Sequence, residues 1–322
     1  MMIKRRLALL LPLLLALPLA AHAQAYPAKP VHLIVPFAPG GPADVVARVL
    51  GQELTEILGQ PFVIENKVGA AGNIGVDLIA KAAPDGYTLG IVPVGNIAVN
   101  PNLFPSLPYK ASELQPVAML ATVENVLVVN AAVPAKSVKE LLALAKQKPG
   151  SLSFASPGAG SQAHLAGELM ALDADLQLIH VPYKGIGPAL NDVVGGQVTM
   201  MFGSMSAVLP HVKSGKLRAL GVASLKRSAA MPELPTIAEQ GLPGFEAVSW
   251  YALMAPAGTP KAVVDRLNAE SARVLAKPQM KEKFAVLGLE PGSGKPQEIV
   301  ATIQTETARW ADVIKKKNIK PE

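Results

Sequence analysis

The sequence predicts an α/β protein of two lobes, each with a sheet flanked by helices. Short apolar runs rich in β-branched residues alternate with stretches of helical spacing along most of the chain. This alternation forms two blocks, and no Pro/Gly/Ser-rich linker separates them. We therefore expect mostly parallel sheets, with the chain crossing between lobes through strands, as in a hinged clamshell that closes on a ligand.

The first 23 residues have the features of a secretory signal peptide. Lys4, Arg5 and Arg6 form a basic segment, residues 7–19 are apolar, and small residues stand at 21 and 23. A membrane anchor is the alternative, but an apolar run of about thirteen residues is shorter than the roughly twenty that cross a bilayer. We expect cleavage after Ala23 and a periplasmic protein.

The first block begins with a strand, a glycine turn and a helix. Residues 31–37 are apolar and β-branched, Gly40 and Gly41 form the turn, and Pro42 suits the first position of a helix. The same order then recurs. We predict a strand at 62–65, a glycine-rich turn at 66–75, a helix at 76–82 and a strand at 87–92.

The second block has its own alternation of strands and helices. Its predicted strands are residues 126–129, 152–156, 176–181, 198–202 and 217–222, and its predicted helices are residues 137–148, 162–172, 185–194 and 206–214. The C-terminal part adds a strand at 250–255 and helices at 260–276, 278–287 and 296–316. A return crossing near residues 217–224 assigns residues 24–121 and 225–322 to lobe I and residues 122–224 to lobe II.

Composition excludes several classes of function. The chain has no cysteine, so thiolate metal sites and thiol nucleophiles are absent from it. The net charge is +6, but three of the cations lie in the predicted signal peptide and the others are mixed with acidic residues. Nucleic acid is therefore not an expected partner.

The first candidate site is the turn at residues 37–44. A helix N-terminus presents unpaired N–H groups and partial positive charge, and glycines let a ligand approach the backbone. The turn therefore predicts an anion site, with Phe37, Pro39, Gly40, Gly41, Ala43 and Asp44 as its residues. An ordinary tight turn is the alternative, and Asp44 is also typical of a capping carboxylate.

The second candidate site is the turn at residues 156–164. Residues 158–163 match G-x-G-x-x-A, but no acidic residue follows at the strand end that would bind a ribose. We interpret it as a second anion turn that faces the first. Its predicted residues are Ser156, Gly160, Ser161 and His164, although His164 is also compatible with a purely structural role.

A third stretch, residues 180–185, contains Tyr183 and Lys184. A tyrosine ring and a lysine charge suit a carboxylate, and a solvated loop at a strand end is the alternative. Tyr183 joins the list of predicted ligand contacts.

Catalytic alternatives have less support. The chain contains no G-x-S-x-G elbow and no H-E-x-x-H helix, and its histidines share no short spacing. We therefore expect a protein that is not an enzyme and has no metal or cofactor. The rival reading is an exported serine hydrolase that uses Ser161 and His164.

Taken together, these stretches resemble the Bug family of periplasmic solute-binding proteins, which serve tripartite tricarboxylate transporters. The resemblance covers essentially the whole chain after the signal peptide. The matching stretches are residues 26–31 (YPAKPV), 35–44 (VPFAPGGPAD), 65–67 (ENK), 72–75 (GNIG), 83–89 (APDGYTL), 100–101 (NP), 107–109 (LPY), 180–185 (HVPYKG), 215–220 (GKLRAL) and 255–260 (APAGTP).

The resemblance implies a two-lobed periplasmic-binding-protein fold and a small organic carboxylate as ligand: a di- or tricarboxylate, an amino acid or an aromatic acid. It implies as partners an integral-membrane permease or a sensor; the chain itself is expected to be a monomer. Two positions depart from the family pattern. Ala71 replaces a glycine, and Gly203 and Ser204 stand where many members have an aspartate. We take the change at Ala71 as a local one away from the ligand, add Gly203 and Ser204 to the predicted site, and expect an acid without an amino group.

Overall fold

The computed structural model describes residues 26–158, 160–183, 185–286 and 288–321. The predicted signal peptide, its cleavage site and Lys184 lie outside these residues. The strands are β1 Val31–Val35, β2 Phe62–Asn66, β3 Thr88–Pro93, β4 Leu114–Val123, β5 Asn125–Asn130, β6 Ser153–Ser156, β7 Ile179–Pro182, β8 Met200–Ser204, β9 Leu217–Val222, β10 Ser249–Pro256 and β11 Leu289–Pro291.

Most helices begin within one residue of the predicted positions, but α2 begins three residues earlier and α3 was not predicted. They are α1 Pro42–Leu58, α2 Asn73–Ala80, α3 Asn100–Leu103, α4 Val138–Gln147, α5 Gln162–Asp173, α6 Ile186–Val194, α7 Met205–Lys213, α8 Lys261–Leu275, α9 Pro278–Val286 and α10 Pro296–Lys317. A π-helical turn, Gly95–Val99, precedes α3. Among the described helices, none combines the length and the apolar character needed to cross a membrane.

The strands form two sheets, and this confirms the two-lobed α/β architecture. Sheet A has the order β11-β4-β10-β3-β1-β2, and sheet B has the order β7-β6-β8-β5-β9. The chain passes from sheet A to sheet B at Glu124, between β4 and β5, and returns between β9 and β10. Two strand-linked crossings therefore join the lobes.

The expectation of mostly parallel sheets needs a correction. Strand β1 pairs in parallel with β2 and β3, but β10 runs antiparallel to both β3 and β4. In sheet B, β6 is parallel to β7 and β8, whereas β5 is antiparallel to β8 and β9. Strands β5 and β10, which begin just after the two crossings, are antiparallel to both of their neighbours, and β11 is also antiparallel to β4.

Helices cover both faces of sheet A. On β10, Ala252 and Met254 pack in one cluster with Trp310 of α10, whereas Leu253 and Ala255 pack in another with Leu50 of α1. This alternation follows from the two-residue period of a strand buried on both faces. The loops at the ends of the strands of sheet A are therefore fixed by the packing of helices on both faces of the sheet.

Candidate ligand-binding site

The first glycine turn joins β1 to α1. Gly41 is the N-cap residue of α1 and Pro42 is its first residue, and Gly40 has a positive φ of 85°. The first intrahelical hydrogen bond runs from the Val45 N–H to the Gly41 carbonyl, 3.0 Å. The amides of Ala43 and Asp44 therefore precede the hydrogen-bonded part of the helix, where they are available to an anion.

The Asp44 carboxylate stabilises this turn from inside. It is 2% exposed. It accepts hydrogen bonds from the Gly40 N–H (2.9 Å), from Arg48 Nε and Nη2 (2.9 and 3.0 Å) and from Asn66 Nδ2 (2.9 Å). Burial raises the pKa of this carboxyl, but the hydrogen bonds from Arg48, Gly40 and Asn66 outweigh burial and lower the pKa to about 2. The geometry thus favours a structural role for the side chain of Asp44.

The second glycine turn joins β6 to α5. Ser161 is the N-cap residue of α5, and its Oγ accepts a hydrogen bond from the His164 N–H, 3.3 Å. His164 Nδ1 in turn accepts from the Gly160 N–H, 3.0 Å. The first intrahelical bond links the Leu165 N–H to the Ser161 carbonyl. The amides of Gln162 and Ala163 consequently occupy the same place in this turn as those of Ala43 and Asp44 in the first.

A histidine pair supports the second turn. The rings of His164 and His180 stack at 3.7 Å between centroids, 5° from parallel, and Phe154 stacks on His180. His180 Nε2 lies 2.7 Å from Oγ of the buried Ser156. Burial lowers the pKa of His180, the neighbouring His164 lowers it further, and the result is about 4. Sequence reasoning missed this supporting role of His180.

The geometry of Ser161 and His164 does not support the serine-hydrolase hypothesis. The Ser161 hydroxyl is engaged by the backbone of His164, and His164 Nδ1 is engaged by the Gly160 N–H. The other ring nitrogen of His164 lies 3.8 Å from Glu168 Oε1. The two side chains therefore bond to other groups, and a nucleophile–base pair needs a direct hydrogen bond.

Tyr183, Gly203 and Ser204 lie on the sheet B side. The Tyr183 hydroxyl donates to Asp192 Oδ2 of α6 at 2.5 Å, and burial together with Asp192 raises its pKa to about 12. A Cβ on Gly203 would lie 2.4 Å from Val208 Cγ1, so α7 packs directly against this position. Ser204 is the N-cap residue of α7. Tyr183 and Gly203 therefore each contact a helix of their own lobe.

A third segment, the turn at residues 69–73, was absent from the predicted site. Ala70 and Ala71 have positive φ values of 47° and 53°, which are strained for alanine. A Cβ on the next residue, Gly72, would lie 3.0 Å from Phe37 Cζ and 3.1 Å from Asn96 Oδ1. The segment therefore lies beside Phe37.

A buried amide network anchors this third segment. Asn73 Oδ1 accepts hydrogen bonds from Asn96 (3.0 Å) and Asn100 (2.7 Å), and the Tyr109 hydroxyl lies 3.0 Å away. Asn96 Nδ2 also donates to the Ala71 carbonyl. Asn96 lies in the π-helical turn, and such turns are frequent at functional sites. Asn73, Asn100 and Tyr109 lie in stretches that carry the family resemblance, but nothing in the sequence indicated that their side chains contact one another.

A short series of contacts links the two glycine turns. Gly72 lies between Phe37 of the first turn and Asn96 of the π-helical turn, and α3 follows the π-helical turn directly. A Cβ on Gly160 would lie 2.3 Å from Leu103 Cδ2 of α3. Gln162 Nε2 also donates to the Val248 carbonyl, 3.3 Å. The turn of sheet B therefore contacts the end of sheet A at which the first turn lies.

Two grooves lie elsewhere. A groove of 440 Å³ is bordered by Ala131, Leu217 and Met231, and one of 670 Å³ by Leu172, Gly244 and Arg309. The glycine turns border neither groove.

Comparisons with known proteins agree with this architecture. The profile of a family described as tripartite tricarboxylate transporter family receptor matches residues 46–319. BugT of Bordetella pertussis is 44% identical over 92% of this chain and 92% of its own. A protein of R. palustris solved with adipate is 37% identical, with a TM-score of 0.79 over 92% of this chain and 100% of its own. MatC of Rhodopseudomonas palustris, solved with bound malate, is 34% identical, with a TM-score of 0.74 over 90% of this chain and 100% of its own.

Proposed function

The chain belongs to the tripartite tricarboxylate transporter receptor family, and we propose that it captures a small organic carboxylate between its two lobes in the periplasm. Members of this family are solute-binding receptors and not enzymes. The bound acid is then delivered to a membrane permease of the tripartite type or reported to a sensor. The two similar proteins from R. palustris, solved with adipate and with malate, support a carboxylate as the class of ligand.

One observation carries the proposal: two helix N-termini, those of α1 and α5, lie in glycine turns that contact the same end of sheet A. Their leading amides supply donors and partial positive charge without a cationic side chain. The nearby Asp44 is already neutralised by Arg48, so it does not repel a bound anion. A di- or tricarboxylate or an aromatic acid meets these requirements.

The proposed ligand has no amino group. An ammonium needs an acceptor, and the nearby carboxylates of Asp44 and Asp192 are engaged by Arg48 and by Tyr183. Gly203 and Ser204 add no acidic side chain at the end of β8. An amine-bearing ligand would therefore lose its hydration without an ion pair in return.

The proposal retains the predicted boundaries: lobe I with residues 24–121 and 225–322, and lobe II with residues 122–224. The crossings at Glu124 and between β9 and β10 support this division. It also retains a cleaved signal peptide and a monomeric mature chain.

Isothermal calorimetry of the mature chain, residues 24–322, tests the proposal. Malate, adipate, citrate and benzoate form the panel, and glutamate is the amino-acid control. We expect at least one acid of the panel to bind and glutamate to bind more weakly. Silence across the four acids would contradict the proposal, and labelling of Ser161 by a fluorophosphonate probe would favour the hydrolase instead.

A further inference from the structure

Trp250 lies at the end of sheet A that both glycine turns approach. It is the second residue of β10, and Tyr251 pairs with Pro93 at the end of the antiparallel β3. Trp250 consequently lies level with Val94, just beyond the carboxyl end of β3. The first glycine turn follows the carboxyl end of β1, which is parallel to β3 in the same sheet. Trp250 and that turn therefore lie at the same edge of sheet A.

The residues before Trp250 are held by the other lobe. The Val248 carbonyl accepts a hydrogen bond from Gln162, the first residue of α5, and the Ala247 carbonyl accepts one from Asn125 Nδ2, 2.8 Å. Trp250 thus lies two residues from a direct contact with the second glycine turn. The Trp250 side chain belongs to a buried cluster that contains residues of both lobes, among them Trp310 of α10 and Phe202 of β8.

The indole of Trp250 has a donor without an acceptor. Its side chain is 4% exposed, and within the described ranges its Nε1–H has no hydrogen-bond partner. The other tryptophan, Trp310, is also buried, and its Nε1–H donates to Glu306 Oε2 at 2.6 Å. A buried donor without a partner is unfavourable and rare in folded proteins. At the meeting point of the two lobes, a bound molecule can supply the acceptor.

We infer that the indole N–H of Trp250 donates a hydrogen bond to the bound acid, and that this acid carries a second carboxylate. The inference rests on the proposed function and deepens it. The amides of the two turns bind one carboxylate of the acid. The unpaired indole N–H donates to an oxygen of the second carboxylate, at the other end of the acid. Because an indole N–H can only donate, it discriminates against an ammonium or a methyl group at that end.

NMR of the ¹⁵N-labelled mature chain tests the inference, because the two tryptophans give two indole N–H resonances. Trp250→Phe assigns them by removing one. Adipate is the first probe, and hexanoate, which replaces one carboxylate by a methyl group, is its matched control. We expect adipate to move the Trp250 indole proton downfield and to leave that of Trp310 in place.

Calorimetry of the same variant gives the energetic result. We expect Trp250→Phe to weaken adipate binding by about tenfold, as for the loss of one hydrogen bond to a charged group, and to affect hexanoate much less. If malate binds and adipate does not, malate and 2-hydroxybutyrate form the equivalent pair. If Trp250→Phe does not fold, Trp250→Tyr assigns the resonances, and the titration of the wild-type chain decides.

The outcomes separate the two claims. If an acid binds but the Trp250 resonance stays in place and Trp250→Phe retains full affinity, the inference is wrong and the proposed function stands. Binding of hexanoate as tightly as adipate would also overturn the inference. If no acid of the panel binds, the proposed function fails and the inference fails with it.

Discussion

Gly160 and Leu103 are in contact across the two lobes: a Cβ atom on Gly160 would lie 2.3 Å from Leu103 Cδ2. Gly160 also has a positive φ of 74°, which glycine adopts without strain. The backbone conformation favours glycine at this position, and a Cβ atom would displace the Leu103 side chain of the facing lobe. The contact brings the second glycine turn against α3, the helix that follows the π-helical turn.

Gly160→Ala should weaken binding of the tightest-binding acid by about tenfold, because the new methyl group strains the turn and holds it away from Leu103. Leu103→Ala in the same chain should restore part of the affinity by making room. Calorimetry on both variants checks this, with thermal unfolding in parallel because Leu103 is buried. Wild-type affinity in Gly160→Ala would show that the contact has no part in closure.

Gly41→Val should reduce affinity by about a hundredfold or more while leaving the fold intact, because its branched side chain fills the approach to the α1 amides. The fold should tolerate the change, since a Cβ at this position meets only the Ala38 carbonyl, at 3.7 Å. Gly187→Val is the matched control, because Gly187 is exposed in α6 with open space around it. Equal affinities of the two variants would contradict the assigned site.

Asp44→Asn should destabilise the chain by about 2 kcal/mol at neutral pH, because the folded-state pKa of Asp44, about 2, lies below its unfolded value of 3.8. This contribution is complete above pH 4 and is lost as the pH falls from about 4 to about 2. Urea unfolding at several pH values measures it. Asp265→Asn is the control, because the Lys261–Asp265 pair is exposed and such pairs add little stability. A difference between Asp44→Asn and the wild type that persists at pH 2 would contradict this account.

The lowered pKa of His180 predicts that the stability of the fold also depends on pH in a second, higher range. Its folded-state pKa of about 4 lies below its ordinary value of 6.5, so the unfolded chain takes up the proton first as the pH falls. The free energy of unfolding is therefore not reduced by His180 above pH 6.5. It falls by about 1 to 3 kcal/mol as the pH is lowered from 6.5 towards 4. His180→Gln should flatten the stability curve in that window, and His211→Gln should not. The same slope in both variants would exclude His180 as its source.

The sequence predicted helix starts well, because the signals are local. Pro42 after Gly41, the Ser137 cap before α4 and the start of α5 after Ser161 all stand where caps and first-turn residues indicate. Strand β4 was missed because Pro116 interrupts its apolar run, and a proline demotes a predicted strand. The antiparallel pairing was missed because sequence patterns specify strands and not their neighbours.

The predicted site residues show the same limit. Asp44 and Arg48 are four residues apart on a helix, so the sequence spacing alone allows an ion pair between them. This pairing is an alternative to a ligand contact of the Asp44 side chain. The bond of Tyr183 to Asp192, the stacking of His164 on His180 and the amide network at Asn73 depend on tertiary packing that no motif encodes. The roles of the predicted site residues in ligand binding stay predictions.

A crystal structure of the mature chain with the tightest-binding acid of the panel would show where the acid lies. We expect one carboxylate within about 3 Å of the leading amides of α1, at Ala43 and Asp44, with the N-terminal turn of α5 closed over the same molecule. An acid bound in either outlying groove, with these two helix starts separated by solvent, would contradict this expectation.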